Sequence, residues 1–180
     1  MKRIIIVRHG KAEWQKDSLG DFDRRLTGKG KKALESVGKY LKLKGYSVNE
    51  IISSPALHTQ ESSLSISRPL DFNGRIYFME ELYLANSDNI LNILGHINNR
   101  VDTLMLVGHN PAVTELAGRL LASSGKGGVL KIPKGGAAVI DIDMDSWSQI
   151  SDSKAALELF VDPKQFRYYD PVAENTVTVQ

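Results

Sequence analysis

Cysteine is absent from all 180 residues of the sequence. The chain therefore forms no disulfide, carries no thiol nucleophile and offers no thiolate ligand to a metal. It also lacks any apolar run near the ~20 residues that a membrane-spanning helix requires. The first residues lead directly into a short apolar segment rather than a signal sequence, so we expect a cytoplasmic protein that does not insert into a membrane.

A strong excess of charge of either sign is also missing. Lysine and arginine together number 23, aspartate and glutamate number 21, and the formal net charge is +2. A nucleic-acid-binding domain usually carries a strongly basic face, so we expect no nucleic-acid partner. The length suits one domain, since domains commonly contain ~100 to 200 residues.

Four β-branched residues near the N-terminus, Ile4-Ile5-Ile6-Val7, predict a short strand that is buried on both faces. This run ends at Arg8-His9-Gly10. Because ligands gather at the carboxyl ends of strands in open α/β sheets, we expect Arg8 and His9 to lie at a site. A guanidinium can bind phosphate through two hydrogen bonds, and an imidazole beside it can attack or transfer a proton.

A second stretch has the same construction. The apolar residues 104–107 end at Gly108-His109-Asn110-Pro111. Pro111 suits the first turn of a helix with Asn110 as its N-cap, and apolar residues recur at helical spacing after it. Two strands thus direct an imidazole towards the same edge of the predicted sheet.

With both motifs in view, the chain resembles the histidine phosphatase superfamily, and within it the SixA type of phosphohistidine phosphatase. Other motifs of this resemblance follow in order: Arg24-Arg25-Leu26-Thr27-Gly28-Lys29-Gly30, Ser53-Ser54-Pro55-Ala56-Leu57, Glu81-Leu82-Tyr83 and Ile132-Pro133-Lys134-Gly135. The resemblance implies a single-domain, three-layer α/β/α fold with a mostly parallel central sheet, as in phosphoglycerate mutases. We expect residues 1–165 to form this domain and residues 166–180 to form a polar C-terminal tail.

The resemblance also implies a phosphatase that needs no metal and no cofactor. His9 would attack phosphorus through a ring nitrogen, and water would then release phosphate from the phosphohistidine. Fixed positive groups must stabilise the charge on the phosphoryl oxygens, and we assign that work to Arg8 and His109. His9 should be neutral for attack, whereas His109 is useful as a cation.

His58 is the most informative departure, because the family places a second phosphate-binding arginine at this position after Ser54-Pro55. Arginine is always charged and forked, whereas an imidazole loses its charge near pH ~6.5. Three interpretations are open. His58 is a weaker phosphate ligand that the bound anion keeps protonated, or it only lines the pocket while a cation such as Arg24 binds phosphate. In the third interpretation, the pocket has lost its catalytic capacity, and the protein binds its phosphorylated ligand without hydrolysing it.

Two further residues are candidates through the resemblance. Arg24 occupies a position at which the family has an arginine, and it would add positive charge that helps to bind a phosphoryl dianion. The other interpretation of Arg24 is a solvated cation on the surface. Glu81 aligns with the acid of those relatives that have one and would protonate the leaving group. The other interpretation of Glu81 is a surface or capping carboxylate, because the smallest family members are described as lacking a well-placed acid.

A chain this short has no long insertion over the pocket, so we expect an open site that accepts a phosphoryl group carried on a protein side chain. The resemblance points to phosphohistidine on a histidine-containing phosphotransfer domain, and hence to signal transduction. The alternatives are a small-molecule phosphomonoesterase and a noncatalytic module that binds phosphoproteins.

Segments outside these motifs give further predictions. A lysine-rich helix opens at Thr27 and ends at Gly45, and its lysines form either a solvated face or a docking surface for an acidic partner. Residues 136–143 and 156–161 alternate as half-exposed strands, and Ser87-Asp88 caps another helix. Residues 123–128 have the composition of a flexible loop.

Overall fold

Six strands form one sheet in the computed structural model, which describes residues 1–14, 20–122 and 130–167. The strands are β1 (Lys2–Arg8), β2 (Glu50–Ser53), β3 (Ile76–Phe78), β4 (Thr103–Gly108), β5 (Ala137–Ile142) and β6 (Ala155–Val161). Their order across the sheet is β3-β2-β4-β1-β5-β6. The first four strands are parallel to one another, and β5 is antiparallel to both β1 and β6. This confirms the predicted mostly parallel sheet.

Four helices cover the two faces of this sheet: α1 (Gly28–Leu43), α2 (Leu57–Ser67), α3 (Ser87–Gly95) and α4 (Ala112–Ala122). Leu34 of α1 and Ile66 of α2 belong to the core on one face. Leu94 of α3 and Leu116 of α4 belong to the core on the other face, together with Trp147. The two separate cores make the fold a three-layer α/β/α arrangement, as the sequence predicted.

Strand β1 is buried on both faces, as its β-branched residues predict. Ile4 and Ile6 pack into one core and Ile5 and Val7 into the other, because successive side chains of a strand point to opposite faces. All four side chains are fully inaccessible to solvent. Burying each of them stabilises the fold by about 1.5–3 kcal/mol, which fixes the strand that carries Arg8.

Helix α1 begins where the sequence predicts. Oγ1 of Thr27 accepts a hydrogen bond from the amide of Gly30 at 3.0 Å, which satisfies one of the free donors of the first turn. The helix ends before Gly45, whose φ of +80° favours glycine. Gly30 also permits a close approach, since a β-carbon there would lie 2.4 Å from the carbonyl oxygen of Lys11. The segment after β1 is thereby held against α1.

The prediction of a half-exposed strand at residues 136–143 was wrong, because β5 is almost entirely buried. It lies between β1 and β6, and both of its faces are covered. Asp141, which produced the alternating pattern, forms two hydrogen bonds of 2.5 and 2.6 Å with the guanidinium of Arg3 on β1. Strand β6 is the edge strand on this side of the sheet, and most of its residues are exposed or half-buried.

Smaller differences concern helix α3 and the chain end. The N-cap of α3 is Asn86 rather than Ser87, and its side chain accepts a hydrogen bond from the amide of Asn89 at 2.9 Å. Phe166 packs against Tyr40 with ring centroids 5.4 Å apart, so the described packing includes the first residue of the predicted tail.

Residues 123–128, predicted to form a loop, lie outside the described residues, as do residues 168–180 of the tail. Across the described ranges, no helix combines the length and the apolar character needed to span a bilayer.

Candidate active site

His9 and His109 lie side by side at the carboxyl edge of the sheet. Each directly follows its strand, and β1 and β4 are parallel neighbours in which Arg8 is opposite Gly108. The amide of His9 donates a hydrogen bond to the carbonyl of Gly108 at 3.0 Å. The two ring centroids are 5.3 Å apart. The structure thus brings together two imidazoles that are far apart in the sequence.

His58 joins these two residues, and the three side chains are called the imidazole cluster below. It lies in the first turn of α2, and its ring centroid is 4.5 Å from that of His9 and 5.0 Å from that of His109. Its Nε2 atom is 3.3 Å from Nδ1 of His109. Only 1% of His58 is exposed. His58 therefore faces the predicted nucleophile directly, and its role as a phosphate ligand stays a prediction.

Hydrogen bonds to the protein determine which ring nitrogen of His9 is free. Nδ1 of His9 lies 2.8 Å from the carbonyl oxygen of Gly10. A carbonyl oxygen can only accept, so Nδ1 carries the proton of this bond and Nε2 of the neutral ring keeps its lone pair. On His109 the contact is at the other nitrogen, because Nε2 lies 2.8 Å from Oγ of Ser54. Nδ1 of His109 is then the atom that faces His58.

Burial favours the neutral form of all three rings. It lowers the pKa of His9 to about 3, with a further contribution from the neighbouring His58. The same two causes lower the pKa of His109 to about 4. Burial also lowers the pKa of His58, although the negative charge of Asp21 opposes the change. Burial therefore favours a cluster of neutral imidazoles at neutral pH.

Arg8 supplies the permanent charge beside the cluster. Its guanidinium donates a hydrogen bond from Nη1 to the carbonyl of Ile132 at 3.1 Å, and its charge contributes to lowering the pKa of His9. Nε of Arg8 is buried and has no hydrogen-bond partner among the described residues. Nδ1 of His58 has no bond of normal geometry, but the backbone of Arg24 lies near enough to favour the protonated ring. Buried polar atoms are usually satisfied, so Nε of Arg8 is a donor that an oxygen of a ligand would satisfy.

Arg24, a predicted phosphate ligand, already has protein partners. Its Nη1 atom pairs with Oδ1 of Asp21 at 2.7 Å, and its Nε atom donates to the carbonyl of Glu13 at 2.9 Å. Asp21 also acts on the imidazole cluster, because its charge favours the protonated forms of His58 and His109. The contribution of Arg24 to phosphate binding thus stays a prediction, and within the described residues it positions a carboxylate near the cluster.

Glu81 lies on a short 3-10 helix, Glu80–Leu82, and its side chain is exposed. No hydrogen bond or ion pair joins its carboxylate to another of the described residues. Two residues later, the ring of Tyr83 lies 5.8 Å from that of His109 between centroids. The segment therefore borders the cluster, while the role of Glu81 as an acid stays a prediction.

Sequence reasoning missed Ser54, Asp21 and Tyr83. Ser54 follows β2, a parallel neighbour of β4, so the rule that located His9 and His109 could also have found it. Asp21 begins a single 3-10 turn, Asp21–Asp23, between β1 and α1, and no periodic pattern in the sequence places its side chain. Tyr83 belongs to the motif that singled out Glu81, but its aromatic ring carried no chemical signal of its own.

A wide cleft adjoins the cluster through Arg8 and is called the lysine cleft below. Its volume is about 710 Å³. The cations that line it are Arg8, Lys11, Lys29, Lys32, Lys131, Lys134 and Lys164. Asp162 is the acidic residue of the lining, and none of the six lysines forms an ion pair with another described residue. The small net charge of the chain thus conceals a strongly basic surface next to the site.

The comparisons with known proteins agree with this geometry. Residues 4–83 match the model of the histidine phosphatase superfamily, branch 1. A structure described as a candidate phosphohistidine phosphatase SixA of Agrobacterium tumefaciens is 26% identical, with a TM-score of 0.74 over 90% of this chain and 99% of that chain. The resemblance predicted from the sequence motifs is therefore confirmed.

Two further structures show the fold. A candidate phosphohistidine phosphatase SixA of Nakamurella multipartitia has a TM-score of 0.80 at 22% identity, covering 90% of this chain and 96% of that chain. The protein histidine phosphatase SixA in complex with tungstate has a TM-score of 0.77 at 18% identity, covering 91% and 99%. The similarity thus extends across both layers of helices.

Proposed function

We propose that this chain, whose residues 4–83 match the histidine phosphatase superfamily, is a metal-independent phosphatase that works through a phosphohistidine on His9. Its substrate is phosphohistidine on a signalling protein. The observation that supports the proposal is the free lone pair on Nε2 of His9, whose ring lies 4.5 Å from that of His58 and 5.3 Å from that of His109 between centroids, beside the charge of Arg8. In-line phosphoryl transfer requires a nucleophile with a free lone pair and positive groups close to the phosphoryl oxygens.

In the first step, Nε2 of His9 attacks phosphorus, and the bond between phosphorus and the leaving nitrogen breaks. Nδ1 of His9 keeps its proton and its hydrogen bond to Gly10, so the phosphorylated ring is held in place. Nε of Arg8 and the ring nitrogens of His58 and His109 donate to the phosphoryl oxygens. The anion raises the pKa values of His58 and His109, so they become cations when they are needed.

In the second step, water attacks phosphorus and the bond to His9 breaks. Inorganic phosphate leaves, and the imidazole of His9 returns to its neutral form. No group other than water enters, so the protein ends the cycle unchanged.

A phosphohistidine substrate suits the exposed position of Glu81. The leaving imidazole departs easily once its own ring is protonated, and it can take that proton from solvent. A phosphate ester has a poorer leaving group and needs a positioned acid. Glu81 would serve esters only if it turned towards the pocket.

The lysine cleft supports a substrate carried on a protein. Its volume of about 710 Å³ exceeds what one phosphoryl group fills, and its exposed lysines complement an acidic polypeptide surface. Lys29 and Lys32 of helix α1 line the cleft, so we favour the interpretation in which the lysines of this helix form a docking surface for an acidic partner.

The test is hydrolysis of p-nitrophenyl phosphate and of a phosphorylated histidine-containing phosphotransfer domain, both in EDTA. We expect EDTA not to reduce the rates, the phosphoprotein to have the higher kcat/KM, and His9→Ala to lower both rates at least about 1000-fold. His96→Asn is the matched control, because His96 is the exposed fourth histidine and lies outside the cluster.

Equal background rates in wild type and His9→Ala, with retained affinity for the phosphorylated domain, would instead show a noncatalytic binding module. Turnover of the ester with none of the phosphoprotein would show a small-molecule phosphomonoesterase.

A further inference from the structure

The imidazole cluster has a second chemical property besides phosphate binding. One ligand nitrogen from each of His9, His58 and His109 can be chosen so that all three lie within 4.8 Å of one another. Neutral imidazole is the commonest metal ligand in proteins, and three imidazoles with an open fourth position form a known zinc arrangement.

One distance between two of the rings equals that of two ligands on a tetrahedral ion. Zinc binds imidazole nitrogen at about 2.0–2.1 Å, so two nitrogens on a tetrahedral ion lie roughly 3.3–3.4 Å apart. Nε2 of His58 and Nδ1 of His109 are already 3.3 Å apart. One ring nitrogen of His9 also lies within 4.8 Å of a nitrogen of each of the other two rings. Nε2 is the nitrogen of His9 that is not bonded to Gly10, so small ring rotations would bring its lone pair to the same centre.

The surroundings of two rings are those of metal ligands. The remote nitrogen of His9 donates to the carbonyl of Gly10 at 2.8 Å, and the remote nitrogen of His109 lies 2.8 Å from Oγ of Ser54. Metal-binding histidines almost always pair the remote nitrogen with a protein oxygen, which fixes the ring and directs the other lone pair to the ion. Asp21 adds a negative charge near His58 and His109, which partly offsets the repulsion from Arg8.

We propose that His9, His58 and His109 bind one Zn²⁺ ion and that the ion switches the phosphatase off. The site exists because His58 stands where the family has arginine, and a guanidinium has no lone pair to give to a metal. Inhibition rests on the proposed function. The lone pair on Nε2 of His9 can bind the ion or attack phosphorus, but it cannot do both.

Metal binding can be tested without any activity measurement. The metal-free chain is titrated with Co²⁺, whose visible absorption reports tetrahedral nitrogen coordination, and with Zn²⁺ in a calorimeter. We expect one ion per chain and at least about 100-fold weaker binding in His58→Arg and in His58→Gln, since each removes a ligand. His96→Asn is the control, and its titration should match that of the wild type. Circular dichroism establishes that each variant is folded.

Binding that is absent, or equal in the wild type and both His58 variants, would overturn the inference. So would a titration that is lost in His96→Asn. Phosphatase assays in EDTA separate the two proposals. If the chain hydrolyses phosphate but binds no Co²⁺ through His58, only the metal-site proposal is refuted. If it binds Co²⁺ through His58 but does not hydrolyse phosphate, only the phosphatase proposal is refuted. If both hold, Zn²⁺ should inhibit the wild type at concentrations that leave His58→Arg active.

Discussion

The imidazole cluster and the lysine cleft both suit anions, yet they obtain their charge in different ways. The cluster is largely buried, and burial lowers the pKa values of His9 to about 3 and of His109 to about 4. The lysines of the cleft are exposed cationic side chains at the surface. Arg8 touches both regions, because it lines the cleft and acts on His9.

In the proposed function, this difference separates capture of the anionic substrate from the chemical step. Permanent charge on an exposed surface attracts an anionic partner over several ångströms and is screened by salt. Charge that appears only when an anion enters leaves the nucleophile neutral beforehand, which attack requires. One basic surface could not meet both needs, because protonating His9 would remove its lone pair.

The largest change in anion binding should come from Arg8, where the two regions meet. Charge-assisted hydrogen bonds contribute about 1.5–3 kcal/mol, so Arg8→Ala should weaken sulfate binding about 10- to 150-fold. Arg8→Lys keeps the positive charge but loses the forked pair of donors, so its affinity for sulfate should lie between those of the wild type and Arg8→Ala. Calorimetry measures the dissociation constants, and unchanged binding in Arg8→Ala would mean that the pocket lies elsewhere.

The pH dependence of sulfate binding tests the titrating charge of the cluster. The pKa values of His58 and His109 are lowered in the free protein, and a bound anion raises them, so binding takes up protons. Affinity should therefore increase as pH falls from 7 towards about 4, by up to about tenfold per unit for each proton. Sulfate suits this test because its own charge is constant over that range.

His58→Arg replaces part of this titrating charge with a permanent one. We expect tighter sulfate binding at pH 7 and a shallower pH dependence, because one proton less is taken up. An identical profile in His58→Arg would assign the pH dependence to other groups and leave His58 as a residue that only lines the pocket.

The smallest change should come from single lysines of the cleft. Lys32→Glu should lower kcat/KM for the phosphoprotein about threefold, mainly at low salt, and alter p-nitrophenyl phosphate hydrolysis much less. Lys39→Glu makes the same change on the same helix outside the cleft, so it is the matched control. Equal effects of the two changes would show that net charge matters and the cleft does not.

Much of this arrangement could be predicted from local sequence. Apolar runs that end in polar residues located β1 and β4, and the strand-end rule then placed His9 and His109 at one edge. The periodicity of α1 and its cap at Thr27 were equally local. Strand β5 was misjudged because Asp141 suggests a solvent-facing side, whereas Arg3 of β1 neutralises it within the sheet.

The lysine cleft could not be predicted in the same way. The lysine-rich helix α1 is visible in the sequence, but Lys11, Lys131 and Lys164 come from three other segments, and nothing local in those segments places them beside the helix. The position of Asp21 could not be predicted either, because only the tertiary fold places its charge near His58 and His109. His58 was visible as a departure from a motif, but only the folded chain shows that it places a third imidazole beside His9 and His109.

The most direct test of the central claim is to trap the intermediate with ³²P-labelled substrate and an alkaline detergent quench, which preserves phosphohistidine. We expect an acid-labile label on the peptide that contains His9, at up to one phosphoryl group per chain, and no label in His9→Ala. Steady hydrolysis by the wild type with no label on His9, or the same label in His9→Ala, would contradict the account.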